Sequence, residues 1–207
     1  MLDQPHTIWP LLSLDQLPLW LKVFFTLFVC LIVPVYWVQY GPGNFLWFSD
    51  IALLLTLPAV WLESALLASM SSLALVLEFA WMFDFFFRLI TGVSAIGLSS
   101  YMFDAKIAPP VRALSLFHIA LPILLLWMVF RLGYDSRALG AQTLLAWIVL
   151  PISYLVSDRS ENINWVYGYS RQPQKWMPPL LYLALLMALF PLVIYVPTHF
   201  LLLRLFN

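Results

Sequence analysis

Long apolar runs separated by short polar breaks set the pattern of this chain. A helix of about 20 mostly apolar residues spans the hydrocarbon core of a bilayer. Six stretches reach that scale, at about 17–40, 45–67, 71–92, 111–132, 138–156 and 178–206. The breaks carry turn chemistry. Gly41-Pro42-Gly43-Asn44 divides the first two runs, and Gly and Pro are the strongest local punctuators. Ser69 to Ser72 reads as a short turn between the second and third. Val93 to Pro110 is mixed, ends in Pro109-Pro110, and reads as a loop with a short interfacial helix. Gly133-Tyr134-Asp135 is a turn. Ser157 to Met177 is the longest polar stretch, with Asp158, Arg159, Glu161, Arg171 and Lys175. Pro34 falls inside the first run, and Pro191 and Pro197 inside the last. Bilayer helices tolerate such prolines when neighbours satisfy the freed carbonyls. The pattern predicts an all-α fold, a single transmembrane domain over 1–207 built as a six-helix polytopic bundle. No internal repeat, low-complexity tract or soluble linker interrupts it.

Composition agrees. Hydrophobic residues make up 63 % of the chain and charged residues 10 %, where a soluble domain carries about 25 % charged residues. Mean hydropathy is +0.92. The formal net charge is zero, which argues against nucleic acid as a partner because phosphate binding needs a basic stripe. Ten tryptophans suit two aromatic belts at the membrane interfaces. Cys30 is the single cysteine, so no internal disulfide or thiol metal cluster can form. Met1 to Leu17 lacks the basic n-region of a signal peptide, so the first apolar run is expected to remain in the mature protein.

Six crossings place both termini on one side, side A, together with the turns near Met70 and Gly133. Side B holds the Gly41 break, the Pro109 loop and the Arg159–Lys175 loop. Lys22, Arg131, Arg137 and Arg204 lie near side A; Lys106, Arg112, Arg159, Arg171 and Lys175 lie near side B, with Arg88 close by. The excess leans toward a cytoplasmic side B.

Ionisable groups inside a membrane are costly and mark functional sites by default. With about 1.5 Å of rise per residue, Asp50, Asp84, Arg88 and His118 all map to the side-B half. Tyr154 and Asp158 close the fifth helix there, and Asn162, Asn164, Trp165 and Tyr167 follow in the loop. These groups come from four helices and one loop yet lie within roughly 12 Å of one interface. Asp84 and Arg88, four residues apart, share a helix face and can pair. His118 is a proton carrier near neutral pH, and Asp50 and Asp84 are the candidate carboxylates to fix its tautomer. Arg88, Asn164 or the Trp165 indole could steady an oxyanion. Glu63 and Glu78 flank the turn expected at Met70 and belong to the opposite leaflet. His199 falls in that half too, too far from His118 to share a metal, and no paired-histidine motif supports a zinc site. No cofactor is expected.

Several strings carry a family resemblance: Asn44-Phe45-Leu46-Trp47-Phe48-Ser49-Asp50, Ser115-Leu116-Phe117-His118, Asn162-Ile163-Asn164-Trp165-Val166-Tyr167-Gly168, and Pro191 through Pro197. In order and spacing the chain resembles bacterial YwaF-type integral membrane proteins. It also resembles the related androgen-induced and androgen-dependent TFPI-regulating proteins, and bacterial membrane proteins with the same Asn-Phe-Leu-Trp-Phe-Ser-Asp string. The resemblance implies six helices, a bacterial inner membrane, lipid as the partner, and activity on fatty acyl esters. It also implies a nucleophile at the start of helix two paired with a histidine in helix four. His118 matches that histidine. The family's threonine or cysteine falls on or next to Trp47, which cannot attack an ester. Ser49 is two residues away, about 200° around a helix. Water activated by His118 with Asp50 is the alternative.

Three functions follow from these residues. The first is an intramembrane acyl-ester hydrolase using His118, Asp50 and Asp84. The second is a lipid- or small-molecule-binding or transport protein using the same polar groups, with Arg88 or Trp165 as an anchor. Asn44, Trp47, Ser49, Arg88, Asn164, Trp165 and Tyr167 are the substrate-binding candidates. The third is a structural subunit whose polar residues only join helices.

Overall fold

The computed structural model describes residues 17–169 and 173–206. Residues 1–16 of the stretch read above for a signal-peptide n-region lie outside those residues, as does Arg171. Among the described residues every regular element is helical, with no strand. The α-helices are α1 (Leu19–Tyr40), α2 (Phe48–Leu62), α3 (Ala65–Ser72), α4 (Leu75–Thr91), α5 (Pro109–Leu114), α6 (Phe117–Leu132), α7 (Ala138–Val156), α8 (Pro179–Phe190) and α9 (Val196–Phe206). Tight helical turns occupy Pro42–Leu46, Ser100–Phe103 and Ile163–Trp165. The stretches Leu19–Tyr40, Pro109–Leu132, Ala138–Val156 and Pro179–Phe206 are each long and apolar enough to cross a membrane. The α3–α4 pair, bent by 42°, would be a fifth, while α2 is shorter.

The surface of these helices is compatible with lipid. Only 28 % of the apolar window in α1 is buried, and Trp20, Phe24, Leu27 and Leu31 point outward. A helix that is apolar on its outer face as well as its inner one is compatible with hydrocarbon around it. Inside, one cluster joins α1, α2, α4 and α6 through Phe25, Ile32, Leu53, Val60, Leu75, Leu121 and Leu125. A second joins α2 and α3 to α7 and the last span through Phe48, Leu73, Leu150, Phe190 and Tyr195. The α2–α3 pair thus sits between the two cores.

The turn expected at Ser69–Ser72 is not there. The chain reverses at Glu63, which takes a left-handed conformation (φ 48°), and Ser64 caps α3 by accepting the Leu67 N–H. Ser69, Ser71 and Ser72 are helical and fully buried. Small side chains let helix backbones approach closely, so this serine run is a packing surface rather than a loop. The expected 45–67 helix therefore ends early, and the expected 71–92 helix continues one that starts near residue 65.

The last span is held through its proline break. Pro191 has no N–H to offer the Met187 carbonyl four residues back. The Trp147 indole of α7 donates to that carbonyl instead, at 3.0 Å. The chain relaxes into a wider π turn over Pro191–Tyr195 before α9 begins.

Candidate functional site

Six parts of the chain converge on one cavity of about 600 Å³, a size typical of small-molecule sites. Tyr36 and Tyr40 come from the end of α1. Asn44, Trp47, Phe48, Ser49 and Asp50 come from the turn after the Gly41 break and the first turn of α2. Leu77 and Trp81 come from α4, Ser115 and His118 from the α5–α6 junction, one loop adds Ile96 to Leu98 and Tyr101, and another adds Ser160 to Asn162, Asn164, Trp165 and Tyr169.

His118 is fixed on three sides. Its ring stacks between Trp81 (centroids 4.4 Å) and Phe117 (4.1 Å). Its Nδ1 meets Glu78 Oε2 at 2.6 Å. Glu78 is wholly buried and His118 only 6 % exposed. With both faces covered and Nδ1 engaged, the Nε2 edge is what the ring presents to the cavity. Nε2 has no hydrogen-bond partner among the described residues. A carboxylate on Nδ1 favours the tautomer with a basic Nε2 and offsets the charge gained when Nε2 takes a proton.

The partner is therefore neither of the expected carboxylates. The early turn at Glu63 explains the difference. Counted along the bent α3–α4 pair from residue 64 rather than 70, Glu78 lies at most about 20 Å from the reversal at about 1.5 Å per residue, deep enough to meet His118 rather than stay near the opposite interface.

Asp84 has another task. Its Oδ1 accepts the Ile96 and Gly97 N–H groups at 2.7 and 3.0 Å, and its Oδ2 accepts the Ser99 N–H and hydroxyl at 2.8 and 2.7 Å. Those four donors replace the expected Asp84–Arg88 pair. The Arg88 guanidinium lies 4.6 Å over the Phe103 ring instead, and neither Asp84 nor Arg88 lines the cavity. Asp84 pins the loop that supplies Ile96, Gly97, Leu98 and Tyr101 to the wall, so it positions the site without entering it. Burial pushes the Tyr101 hydroxyl above its ordinary pKa, so it stays a protonated donor.

Asp50, Asn44, Trp47 and Ser49 do line the cavity. Asn44 Nδ2 donates to Asp50 Oδ2 at 3.3 Å. Opposite them, residues 162–165 are held in unusual backbone. Asn162, Asn164 and Trp165 all have positive φ (46°, 52° and 59°), which non-glycine residues adopt only when surroundings impose it. The imposing bonds are visible. Asn164 Oδ1 accepts the Phe48 N–H at 3.2 Å, and its Nδ2 donates to the Leu46 carbonyl at 2.7 Å. Asn162 donates to the Gly168 carbonyl and accepts the Tyr167 N–H. Asn164 is thus a clamp rather than a free oxyanion donor. The Trp165 ring packs edge-on against Trp47 at 5.8 Å, and its indole N–H has no acceptor among the described residues. Tyr167 turns away, donating to the Tyr154 and Ser157 carbonyls of α7. It closes the helix end and takes no part in the wall.

Buried polar atoms in native proteins are paired with few exceptions. Among the described residues three exceptions are Asp50 Oδ1 and the Tyr40 hydroxyl on the cavity wall and Glu78 Oε1 behind His118. Each such atom costs about 1–3 kcal/mol, and their concentration beside a cavity fits groups kept for a ligand. Tyr36 and Ser115 share one hydrogen bond at 2.5 Å, which uses one of their two hydroxyl protons. Far from this site, His199 Nδ1 is bonded to the Tyr134 hydroxyl at 2.8 Å. Among the described residues no three His, Cys, Asp or Glu side chains group as metal ligands.

Sequence reading thus brought His118, Asp50, Asn44, Trp47, Ser49, Asn164 and Trp165 to one place. It missed Glu78, Tyr36, Tyr40, Trp81, Tyr101 and Ser115. Glu78 had a signal, a lone carboxylate in an apolar run, but its depth depended on the misplaced turn. The aromatic wall had none, since aromatic residues are common throughout this chain. No protein-family model, curated protein or solved structure matches this chain.

Proposed function

We propose that this is a multipass membrane protein that hydrolyses an acyl ester, with His118 as general base toward water. The carrying observation is the buried Glu78–His118 pair at 2.6 Å, with His118 on the wall of a cavity of about 600 Å³ and its Nε2 without a partner among the described residues. Six crossings follow if α2 and the α3–α4 pair each span. The resemblance to YwaF-type and androgen-induced proteins points the same way, toward bacterial lipid as the partner.

The chemistry runs as follows. His118 Nε2 takes a proton from water, and the water oxygen forms a bond to the ester carbonyl carbon. The oxyanion meets the Trp165 indole N–H or the Tyr40 hydroxyl, donors not spent on the protein. The tetrahedral species collapses, the carbon–alkoxide bond breaks, and the imidazolium returns its proton to the leaving alcohol. Glu78 steadies the imidazolium throughout. A water nucleophile suits the geometry because neither Ser49 nor Ser115 is hydrogen-bonded to Nε2.

The experiment is reconstitution in mixed phospholipid vesicles with release of free fatty acid as the readout. His118→Ala is expected to lower release at least about a hundredfold, the low end of general-base contributions. Glu78→Gln should lower it by about tenfold or more, since the amide no longer offsets the imidazolium. Release unchanged by His118→Ala, or absent from wild type, refutes the reading.

A further inference from the structure

One buried carboxylate at the cavity is not used by the base. Asp50 is 5 % exposed, Asn44 meets its Oδ2 from 3.3 Å, and its Oδ1 has no partner among the described residues. Around it the wall is aromatic: Tyr36, Tyr40, Trp47, Tyr101 and Trp165 line the same space. The tyrosines contact one another, Tyr36 against Tyr40 at 5.2 Å and Tyr40 against Tyr101 at 6.3 Å. The exposed Glu161 adds a second carboxylate at the rim. No Lys or Arg appears among the described lining residues. His118 brings no net positive charge, because Glu78 behind it balances an imidazolium.

A desolvated carboxylate among aromatic rings is the chemistry that recognises an ammonium ion. The carboxylate attracts the charge in a low dielectric, and the rings add their negative faces. An anionic head group would instead meet two carboxylates and, among the described lining residues, no Lys or Arg. We propose that the cavity takes an amphiphile whose head group carries an ammonium, held at Asp50 within the aromatic wall. The inference rests on reading the cavity as the substrate site. It narrows the acyl esters that would reach His118 to those with a cationic head.

Lauroylcholine and its neutral isostere, in which a quaternary carbon replaces the nitrogen, differ by one charge and little else. Both are titrated in maltoside micelles, with binding followed by tryptophan fluorescence and cleavage by released laurate. Wild type should bind the choline ester at least about tenfold tighter. Asp50→Asn should bring the two within about twofold, and Asp50→Glu should keep most of the preference. Equal binding of the two esters by wild type overturns the proposal, and that comparison holds even if Asp50→Asn does not fold. So does an unchanged preference in Asp50→Asn that elutes as wild type on gel filtration. Selective binding without cleavage sustains the ammonium site and refutes hydrolysis. Cleavage of both esters at equal rates, abolished by His118→Ala, sustains hydrolysis and refutes the ammonium site.

Discussion

Replacing Asp84 by Asn tests how the cavity wall is held. The carboxylate accepts three backbone N–H groups and one hydroxyl from residues 96–99. An amide of the same shape keeps one acceptor oxygen and turns an NH2 group toward donors, so at least two of the four bonds are lost. Hydrogen bonds to a charged group contribute about 1.5–3 kcal/mol each. Because the four share one loop they are not additive, and a single bond's worth is the safe lower bound. At 1.4 kcal/mol per factor of ten, amide exchange at Ile96, Gly97 and Ser99 should accelerate by about tenfold to a hundredfold. The assay is hydrogen exchange with peptide-level mass spectrometry in detergent or nanodiscs. Adding Arg88→Gln should restore nothing, because Arg88 provides none of the four donors and rests on Phe103. Exchange that rises less than about threefold, or protection recovered in the double variant, would refute this account of Asp84.

Three further outcomes are expected. His118→Ala should destabilise the protein by about 3–5 kcal/mol by leaving the Glu78 charge buried and unpaired; adding Glu78→Gln should recover much of that in a denaturation midpoint, and strict additivity would show the two are uncoupled. The Lys22 ammonium, 2.7 Å away, holds the Glu63 carboxyl below its ordinary pKa. A depressed carboxyl stabilises fully above its unfolded pKa and loses that contribution as pH falls through the folded value, so the melting-temperature difference between wild type and Glu63→Gln should shrink on acidification below the usual glutamate range and stay flat above it. In a variant lacking Cys30, single cysteines at Ser94 and Ser160 should react with an impermeant thiol reagent from one face of a sealed vesicle, and one at Arg137 from the other; a shared face for all three would refute the crossings of α6 and α7.

The sequence by itself determined the class of the fold and the neighbourhood of the site. Four long apolar runs became the four helices long enough to span, because hydropathy over about 20 residues depends little on what packs beside it. The Gly41 break ends α1 where expected, at a residue whose φ of 79° favours glycine. Polar residues from the second run and the late loop met at one cavity because depth along a helix follows from counting. Tertiary structure decided the pairings. The reversal at Glu63 carries no Gly or Pro signal and exists because Ser64 caps α3 and the Ser69–Ser72 surface packs inward. That shift of about six residues carried Glu78 to His118. It also left Asp84 free to bind a loop whose N–H groups have no pattern in the sequence, since backbone donors carry no residue identity. Which carboxylate meets the histidine depends on helix rotation and on where turns close, and both are set by packing that no local window contains.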